Sequence, residues 1–276
     1  MIDLGNGPPI VLIPGLQGRW EWMRPAVNAL AARARVISFS LPGEPGSGRP
    51  LDDSQRFDGF AAQIETALDR AQVGAAVMCG VSFGGLVALR YAARRPERTQ
   101  ALVLVSTPGP RWNPSASARR CIAHPRLRFP QFCLGASRRT WEELSATFPN
   151  RTQRIRAAAR YAGMVLRAPT APSRMGQRAR LALGVNFEED CERVSAPTLI
   201  VTGEPGMDRV VPTDTTLEYV RLIKGVRVAK LDSTGHLGVI TKPDRFAELI
   251  ADFIAALAER RRESTAVNAV VSALGS

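Results

Sequence analysis

The chain has 276 residues, of which 45% are hydrophobic and 22% charged, so it has the length of one large domain and the composition of a soluble globular protein. It contains no run of about 18 apolar residues and does not start with a basic segment followed by an apolar one, so we expect neither a membrane-spanning helix nor a secretory signal. The net charge is +12, but no helix-turn-helix, zinc or base-stacking aromatic pattern accompanies it, so we do not expect nucleic-acid binding.

The first 110 residues alternate short apolar runs with helical patterns. The apolar runs predict buried strands at residues 8–15, 35–40, 75–82 and 101–106. Helical spacing of apolar residues predicts helices between them, at residues 19–32, 57–71 and 86–93. The same rhythm returns near the end of the chain, with strands at 197–202 and 227–231 and helices at 214–223 and 244–261. This alternation predicts a mostly parallel sheet covered by helices.

Residues 111–189 interrupt the alternation. Helical patterns at 140–146, 152–166 and 173–183, with no strand between them, predict an all-helical insert. We therefore expect a core formed by residues 1–110 and 190–262. The tail, residues 263–276, is either a frayed helix or disordered.

The net positive charge of the protein is concentrated in this insert. Between Arg111 and Val185 there are fifteen arginines, no lysine and two acidic residues, Glu142 and Glu143, so this segment alone is about +13. One interpretation is a basic surface that faces an anionic substrate, an acyl carrier or a membrane. The other is a solvated helical face in a protein that uses arginine almost everywhere.

The most informative stretch is residues 75–85, where an uncharged apolar run enters Gly80-x-Ser82-x-Gly84 and a helical pattern follows. In a strand–turn–helix setting, this motif holds a serine in a tight turn at the carboxyl end of a strand, and the glycines avoid collisions there. The amino end of the following helix has unpaired N–H groups, which suit an oxyanion. The pattern predicts that Ser82 is a nucleophile; the alternative is a chance match to a short motif.

A serine nucleophile needs a base, and the chain has two histidines. His236 follows the last strand, at the sheet edge where the loop of Ser82 also lies, whereas His124 falls in the insert; we therefore predict that His236 is the base. A carboxylate after another strand should orient it. The loop after residues 197–202 offers Asp208, which we predict, and Glu204 as the alternative. Two further acids are expected to serve a helix start and a strand-end turn: Asp214 and Asp232.

Together these segments resemble the capped, single-domain members of the α/β-hydrolase superfamily, over about residues 8–261. The matching segments are residues 7–15, 41–46, 80–85, 196–212 and 235–243. The resemblance implies an α/β fold with a mostly parallel, doubly wound sheet and an all-helical cap inserted after the sixth strand. It implies Ser82 as nucleophile, Asp208 as acid and His236 as base. It also implies an oxyanion hole formed by the backbone N–H groups of Leu16 and Phe83.

Three features depart from the family pattern. Relatives usually carry His-Gly where this chain has Pro14-Gly15, and often an acid where Ser40 stands. Most begin with a hairpin of two edge strands. Only about nine residues precede the first buried strand here, so we expect that hairpin to be absent or reduced to a stub, which would leave the sheet edge uncovered.

A cap is expected to shape the substrate pocket. Trp20, close to the predicted oxyanion loop, and Trp112 and Trp141 are our candidates for substrate binding. Other apolar residues of the insert are further candidates, although most aromatic residues at helical spacing belong to a core: Phe129, Phe132, Leu134, Phe148, Tyr161, Met164 and Leu166.

We therefore predict a serine hydrolase that cleaves a small-molecule carboxylic ester through an acyl-enzyme, without a metal or another cofactor. The same residues would suit a thioesterase on an anionic acyl carrier, or a hydrolase of carbon–carbon bonds in diketones. A hypothesis from another class is a non-catalytic binder of a ligand or lipid surface. The arginine-rich cap would then contact an anionic membrane or acyl carrier weakly. Because the four cysteines lack metal-site spacing, we expect reduced thiols in a cytoplasmic protein.

Overall fold

The computed structural model describes residues 1–274, and for residue 261 and residues 264–274 it describes the backbone alone. Within this range seven strands form one sheet: β1 (Ile2–Leu4), β2 (Pro9–Ile13), β3 (Arg35–Ser38), β4 (Ala76–Val81), β5 (Thr99–Val105), β6 (Thr198–Thr202) and β7 (Arg227–Lys230). Their order across the sheet is β1-β3-β2-β4-β5-β6-β7, and every pair except β1 with β3 is parallel. The loops that follow β2 to β7 therefore open at the same edge of the sheet.

The helices connect these strands. In the described part of the chain they are α1 (Arg24–Ala31), α2 (Asp58–Arg70), α3 (Phe83–Arg94), α4 (Ala116–Ala123), α5 (Phe129–Thr147), α6 (Arg151–Arg167), α7 (Pro172–Leu183), α8 (Phe187–Arg193), α9 (Thr213–Leu217), α10 (Tyr219–Leu222), α11 (Gly238–Thr241) and α12 (Pro243–Leu274). Short 3₁₀ helices are also present at Trp20–Met23, Asp53–Gln55 and Pro96–Arg98. No helix of the described residues is both long enough and apolar enough to cross a bilayer.

Alternate residues of the strands face two apolar clusters, one on each side of the sheet. Ile13 packs with Phe60 of α2 and other residues of α2 and α3, whereas Leu12 packs with Val27 of α1 and Phe246 of α12. β4 and β5 are covered on both faces, which explains why they read as continuous apolar runs in the sequence. The doubly wound α/β fold predicted from the sequence is confirmed.

The amino-terminal edge of the sheet is reduced. A single strand of three residues, β1, pairs antiparallel with β3, with Ile2 opposite Ser38. It takes the place of the two-strand hairpin, so the expected stub is present. The helical insert was predicted after the sixth strand, a position counted with both hairpin strands. In this chain it follows the fifth strand, because one hairpin strand is missing.

Helices α4 to α8 lie between β5 and β6, a segment that is described throughout and contains no strand. We call residues 111–189 the helical insert. α4 and the first half of α5 were not expected from the sequence. α12 continues to Leu274, so the backbone of the predicted tail extends this helix, while residues 275–276 lie outside the described range.

Candidate active site

The turn between β4 and α3 holds Ser82 in an uncommon backbone conformation, with φ 54° and ψ −123°. A conformation of this kind costs on the order of 1–3 kcal/mol and persists only where its surroundings enforce it. Two glycines allow the turn to close: a Cβ at Gly80 would lie 2.2 Å from the carbonyl oxygen of Gly84, and one at Gly84 would lie 2.4 Å from that of Ile13. The N–H of Ser82 donates to the carbonyl of Val105 at 2.8 Å, which ties the turn to β5.

Two backbone N–H groups beside Ser82 are free to bind an anion. Phe83 is the first residue of α3, so its N–H has no acceptor within the helix. Leu16 lies in the loop after β2, and its N–H makes no backbone hydrogen bond to another described residue. This loop lies against the serine, because a Cβ at Gly15 would be 3.5 Å from the Cβ of Ser82.

His236 and Asp208 are in direct contact. Nδ1 of His236 lies 3.0 Å from Oδ2 of Asp208, and the two side chains are 11% and 1% exposed. The other carboxylate oxygen of Asp208 accepts the N–H groups of Val210 and Val211, at 3.0 and 2.8 Å. Because the carboxylate occupies Nδ1, Nε2 is the ring nitrogen that remains to accept a proton.

The surroundings favour a charged pair. Burial raises the pKa of Asp208, but His236 and the two backbone N–H groups outweigh it and hold this pKa below its ordinary value. Burial lowers the pKa of His236, whereas the carboxylates of Asp208 and Glu143 raise it, and the net effect is a raised pKa. The imidazole is therefore a stronger base than a free histidine.

The other acids considered from the sequence have other partners. Glu204 lies 3.7 Å from Nζ of Lys230, and Asp232 lies 3.0 Å from the same nitrogen. Asp214 accepts the N–H of Thr215 at 3.0 Å in the first turn of α9. His124 is exposed at the end of α4. Asp208 is thus the predicted acid that the structure brings into contact with His236.

Ser82 lies at the same sheet edge as this pair, after β4. Among the described side chains no hydrogen bond joins Ser82 to His236. In sites without substrate, the contact between a nucleophile and its base is often long and shortens in the complex. The structure therefore places an imidazole in contact with a carboxylate, a strained serine and two N–H groups without a backbone acceptor at one edge of the sheet.

An apolar cavity of about 60 Å³ borders Leu16. Residues of α4, α5 and α7 supply its other walls, among them Ile122, Phe129, Phe132 and Met175. A space of this size has room for a few water molecules or a short apolar chain. It lies between the helical insert and the loop that carries one of the free N–H groups.

The three tryptophans predicted to bind substrate do not line this cavity. Trp20 packs against the core, and the guanidinium of Arg24 lies 4.9 Å from its ring centre. Trp112 is half-buried against the other side of the core. Trp141 is 48% exposed on α5. Of the further candidates, Phe129 and Phe132 reach the cavity, whereas Leu134 and Leu166 are exposed.

Two buried charged residues of the insert escaped the sequence analysis. Arg178 of α7 is fully buried and donates to the carbonyls of Leu16 and Pro42, each at 3.0 Å, and to the carboxylate of Glu44 at 2.7 Å. Glu143 of α5 accepts backbone N–H groups from the loop of His236. The one signal for Glu143 is that residues 111–185 contain only two acids among fifteen arginines.

A model of the alpha/beta hydrolase fold matches residues 8–243. The chain belongs to the α/β-hydrolase family. It is 29% identical to a polyketide synthase of Burkholderia thailandensis over 91% of this chain, but over only 12% of the length of that synthase. It is 28% identical to 2-hydroxymuconate semialdehyde hydrolase of Pseudomonas sp. strain CF600, over 92% of this chain and 89% of that protein.

A solved esterase from Exiguobacterium antarcticum has the same fold. It superposes with a TM-score of 0.75 at 17% identity, covering 92% of this chain and 94% of the esterase. At this identity the likeness concerns the fold alone.

Proposed function

We propose that this protein is a serine hydrolase that cleaves a carboxylic ester through an acyl-enzyme intermediate. The contact between His236 and Asp208, at the sheet edge where Ser82 occupies its strained turn, is the observation that carries the proposal. Membership of a hydrolase family supports it. The free N–H groups of Leu16 and Phe83 supply the oxyanion hole that acyl transfer requires.

The reaction would proceed in two halves. Oγ of Ser82 attacks the ester carbonyl while Nε2 of His236 takes its proton, and the carbonyl oxygen, now negative, is bound by the N–H groups of Leu16 and Phe83. His236 then returns the proton to the departing alcohol, which leaves Ser82 acylated. Water adds to the acyl group by the same route, with His236 as base, and releases the carboxylic acid and the free serine.

We propose further that the helical insert is a cap and that the cavity beside Leu16 receives the acyl group. The cavity volume of about 60 Å³ lies well below the roughly 300–1,000 Å³ of sites for drug-sized ligands. Esters of short acids are therefore the expected substrates. In a series of p-nitrophenyl esters, kcat/KM should be highest from acetyl to butyryl and fall for octanoyl and longer chains.

Replacement of Ser82 tests the proposal. Ser82→Ala should reduce kcat for p-nitrophenyl acetate by about four orders of magnitude or more, because the nucleophile is lost. Ser106→Ala is a matched control, since Ser106 also follows a strand, β5, is buried and has a positive φ of 42°. The control should keep wild-type turnover. Undiminished turnover by the Ser82 variant would remove this serine from the mechanism.

A second candidate function is cleavage of a thioester on an anionic acyl carrier. It is favoured by the charge of about +13 between Arg111 and Val185 and by the similarity to part of a polyketide synthase. Exposed arginines of α6, such as Arg156 and Arg160, would attract the carrier. The value of kcat/KM for an acyl-CoA should then fall steeply with added salt, while that for a neutral ester changes little. An equal salt dependence for both substrates would contradict a carrier site.

The similarity to a semialdehyde hydrolase keeps hydrolytic carbon–carbon cleavage as a further alternative. Turnover of a diketone at a higher kcat/KM than any ester in the series would favour it. A weak contact of the insert with anionic lipid would appear as preferential flotation with anionic over neutral vesicles. The four free cysteines fit the cytoplasm, which we propose as the compartment.

A further inference from the structure

Helix α5 of the insert reaches the loop that carries His236. The side chain of Glu143 is buried, and its Oε1 accepts two backbone N–H groups, those of Gly235 and Leu237, each at 2.8 Å. These two residues flank His236 on either side in the chain. One carboxylate oxygen therefore fixes the backbone immediately before and immediately after the histidine.

A second contact lies one helical turn further along α5. Oγ1 of Thr147 donates to the carbonyl of Ser233 at 2.8 Å. Residues four apart in a helix lie on the same face, so Glu143 and Thr147 act on the loop together. Three hydrogen bonds from the insert thus hold residues 233–237.

Three charged groups act electrostatically on the imidazole. They are Asp208 from the loop after β6 and, from α5, Glu143 and Arg139. Asp208 and then Glu143 raise the pKa of His236, and Arg139 lowers it. Burial raises the pKa of Glu143 itself, partly offset by its two N–H donors.

We propose that Glu143 is a positioning residue for His236: through the backbone on both sides of the histidine, it couples the orientation of the imidazole to the docking of the helical insert on the core. The catalytic consequence rests on the proposed function. The geometric consequence does not, because the hydrogen bonds hold the loop whichever reaction the protein performs.

The neighbouring acid, Glu142, provides a matched control. It also lies on α5, but it points to other partners, with Arg138 at 3.0 Å and Arg209 at 2.7 Å. It makes no hydrogen bond to a backbone group of the His236 loop within the described residues. A general effect of removing a negative charge from the arginine-rich insert would appear in both Glu142 and Glu143 variants, whereas a positioning role would appear in the Glu143 variants alone.

The activity test uses four variants of the full chain with p-nitrophenyl acetate. Glu143→Ala should lower kcat about tenfold to a hundredfold with little change in KM, because the base is misplaced while the pocket remains. Glu143→Gln keeps an acceptor oxygen and should restore kcat to within a few-fold of wild type. Thr147→Val should have a smaller effect than Glu143→Ala, and Glu142→Gln should match wild type. Wild-type kcat in folded Glu143→Ala would overturn the proposal.

A second readout does not depend on activity. The chain has only two histidines, so the imidazole C–H signals of His236 can be assigned by comparison with a His124→Gln variant and titrated by NMR. Glu143→Ala removes the acceptor and should move the chemical shifts of these signals, whereas Glu143→Gln, which keeps an acceptor oxygen, and Glu142→Gln should leave them near the wild-type positions. Unchanged His236 signals in folded Glu143→Ala would overturn the proposal even if Ser82-dependent hydrolysis is found. The expected change in a protein without hydrolase activity would support positioning and refute only the reaction.

Discussion

The core and the helical insert depend to different degrees on apolar burial. In the core, strands β4 and β5 are buried on both faces among apolar helices, so the sheet is fixed by non-directional burial of large area. In the insert, α4 and α6, whose side chains are all described, have no buried residue. Apolar residues near its carboxyl end, such as Ala182 and Phe187, pack into the core, and a few buried polar groups add directional contacts.

Two of the polar contacts fall on the candidate site. Arg178 binds the carbonyl of Leu16, and Glu143 binds the loop of His236. A third lies elsewhere: the indole N–H of Trp22 donates to the carbonyl of Ala168 after α6 at 2.8 Å. The insert is therefore attached in part where the chemistry is proposed to occur. Changes to the core contacts of the site and changes to the insert contacts should therefore both alter activity, but by different amounts.

The largest effect is expected inside the core. Asp208→Asn should lower kcat by about three to four orders of magnitude, because an amide does not hold the imidazole in the tautomer that leaves Nε2 free to accept a proton. Glu204→Gln, which removes an acid of the same loop that pairs with Lys230, should stay within a few-fold of wild type. Kinetics on p-nitrophenyl acetate distinguish the two. A larger loss in the Glu204 variant would exchange their roles.

The next largest effect is expected at the junction between the helical insert and the core. Arg178 and Glu44 form an ion pair at 2.7 Å with both side chains fully buried. Arg178→Met leaves the carboxylate of Glu44 with only Arg174, at 3.4 Å, and should destabilise the protein by about 3 kcal/mol. The double variant Arg178→Met with Glu44→Met should recover most of this loss. Urea unfolding measures both, and an unchanged midpoint for Arg178→Met would show that the pair does not anchor the insert.

The pH dependence sharpens the comparison, because both regions act on His236. The neutral imidazole is the base, and its pKa is raised above the ordinary value of about 6.5. The value of kcat/KM should therefore rise about tenfold per pH unit on the acidic side and level off above neutral pH. The midpoint of this rise is obtained by measuring kcat/KM between pH 5 and 9. A midpoint below 6.5 would contradict the influence of the two carboxylates.

The smallest effect is expected on the surface of the insert. The side chain of Arg138 is 80% exposed and pairs with Glu142 at 3.0 Å. Arg138→Gln should change the free energy of unfolding by less than about 0.5 kcal/mol, because water and salt screen an exposed pair. Thermal unfolding of Arg138→Gln and of Arg178→Met, measured side by side, compares the surface of the insert with its junction with the core. A loss equal to that of Arg178→Met would remove the distinction.

More of the core than of the insert could be predicted from the sequence. Buried parallel strands are continuous apolar runs, so β2 to β6 could be predicted, and their order in the chain pointed to Ser82, Asp208 and His236. The three-residue strand β1 is too short and too exposed to leave such a pattern. Its pairing with β3 depends on the rest of the sheet being in place.

The insert contacts could not be predicted for a physical reason. Glu143 acts on backbone N–H groups more than ninety residues away, and a backbone donor leaves no trace in the identity of its residue. Arg178 is one of fifteen arginines in its segment, and nothing in composition distinguishes the buried one. Likewise α4 has only eight residues and few large apolar ones, so its helical spacing is too short to be recognised.

Labelling with a fluorophosphonate probe reports directly whether Ser82 is an activated nucleophile. We expect a single covalent adduct on Ser82 in the folded protein, located by peptide mass spectrometry. The adduct should be absent after unfolding in urea, in Ser82→Ala and in His236→Ala, because labelling requires both the serine and its base. Folded wild-type protein that acquires no adduct at Ser82 would contradict the hydrolase proposal and favour a non-catalytic binder with the same fold.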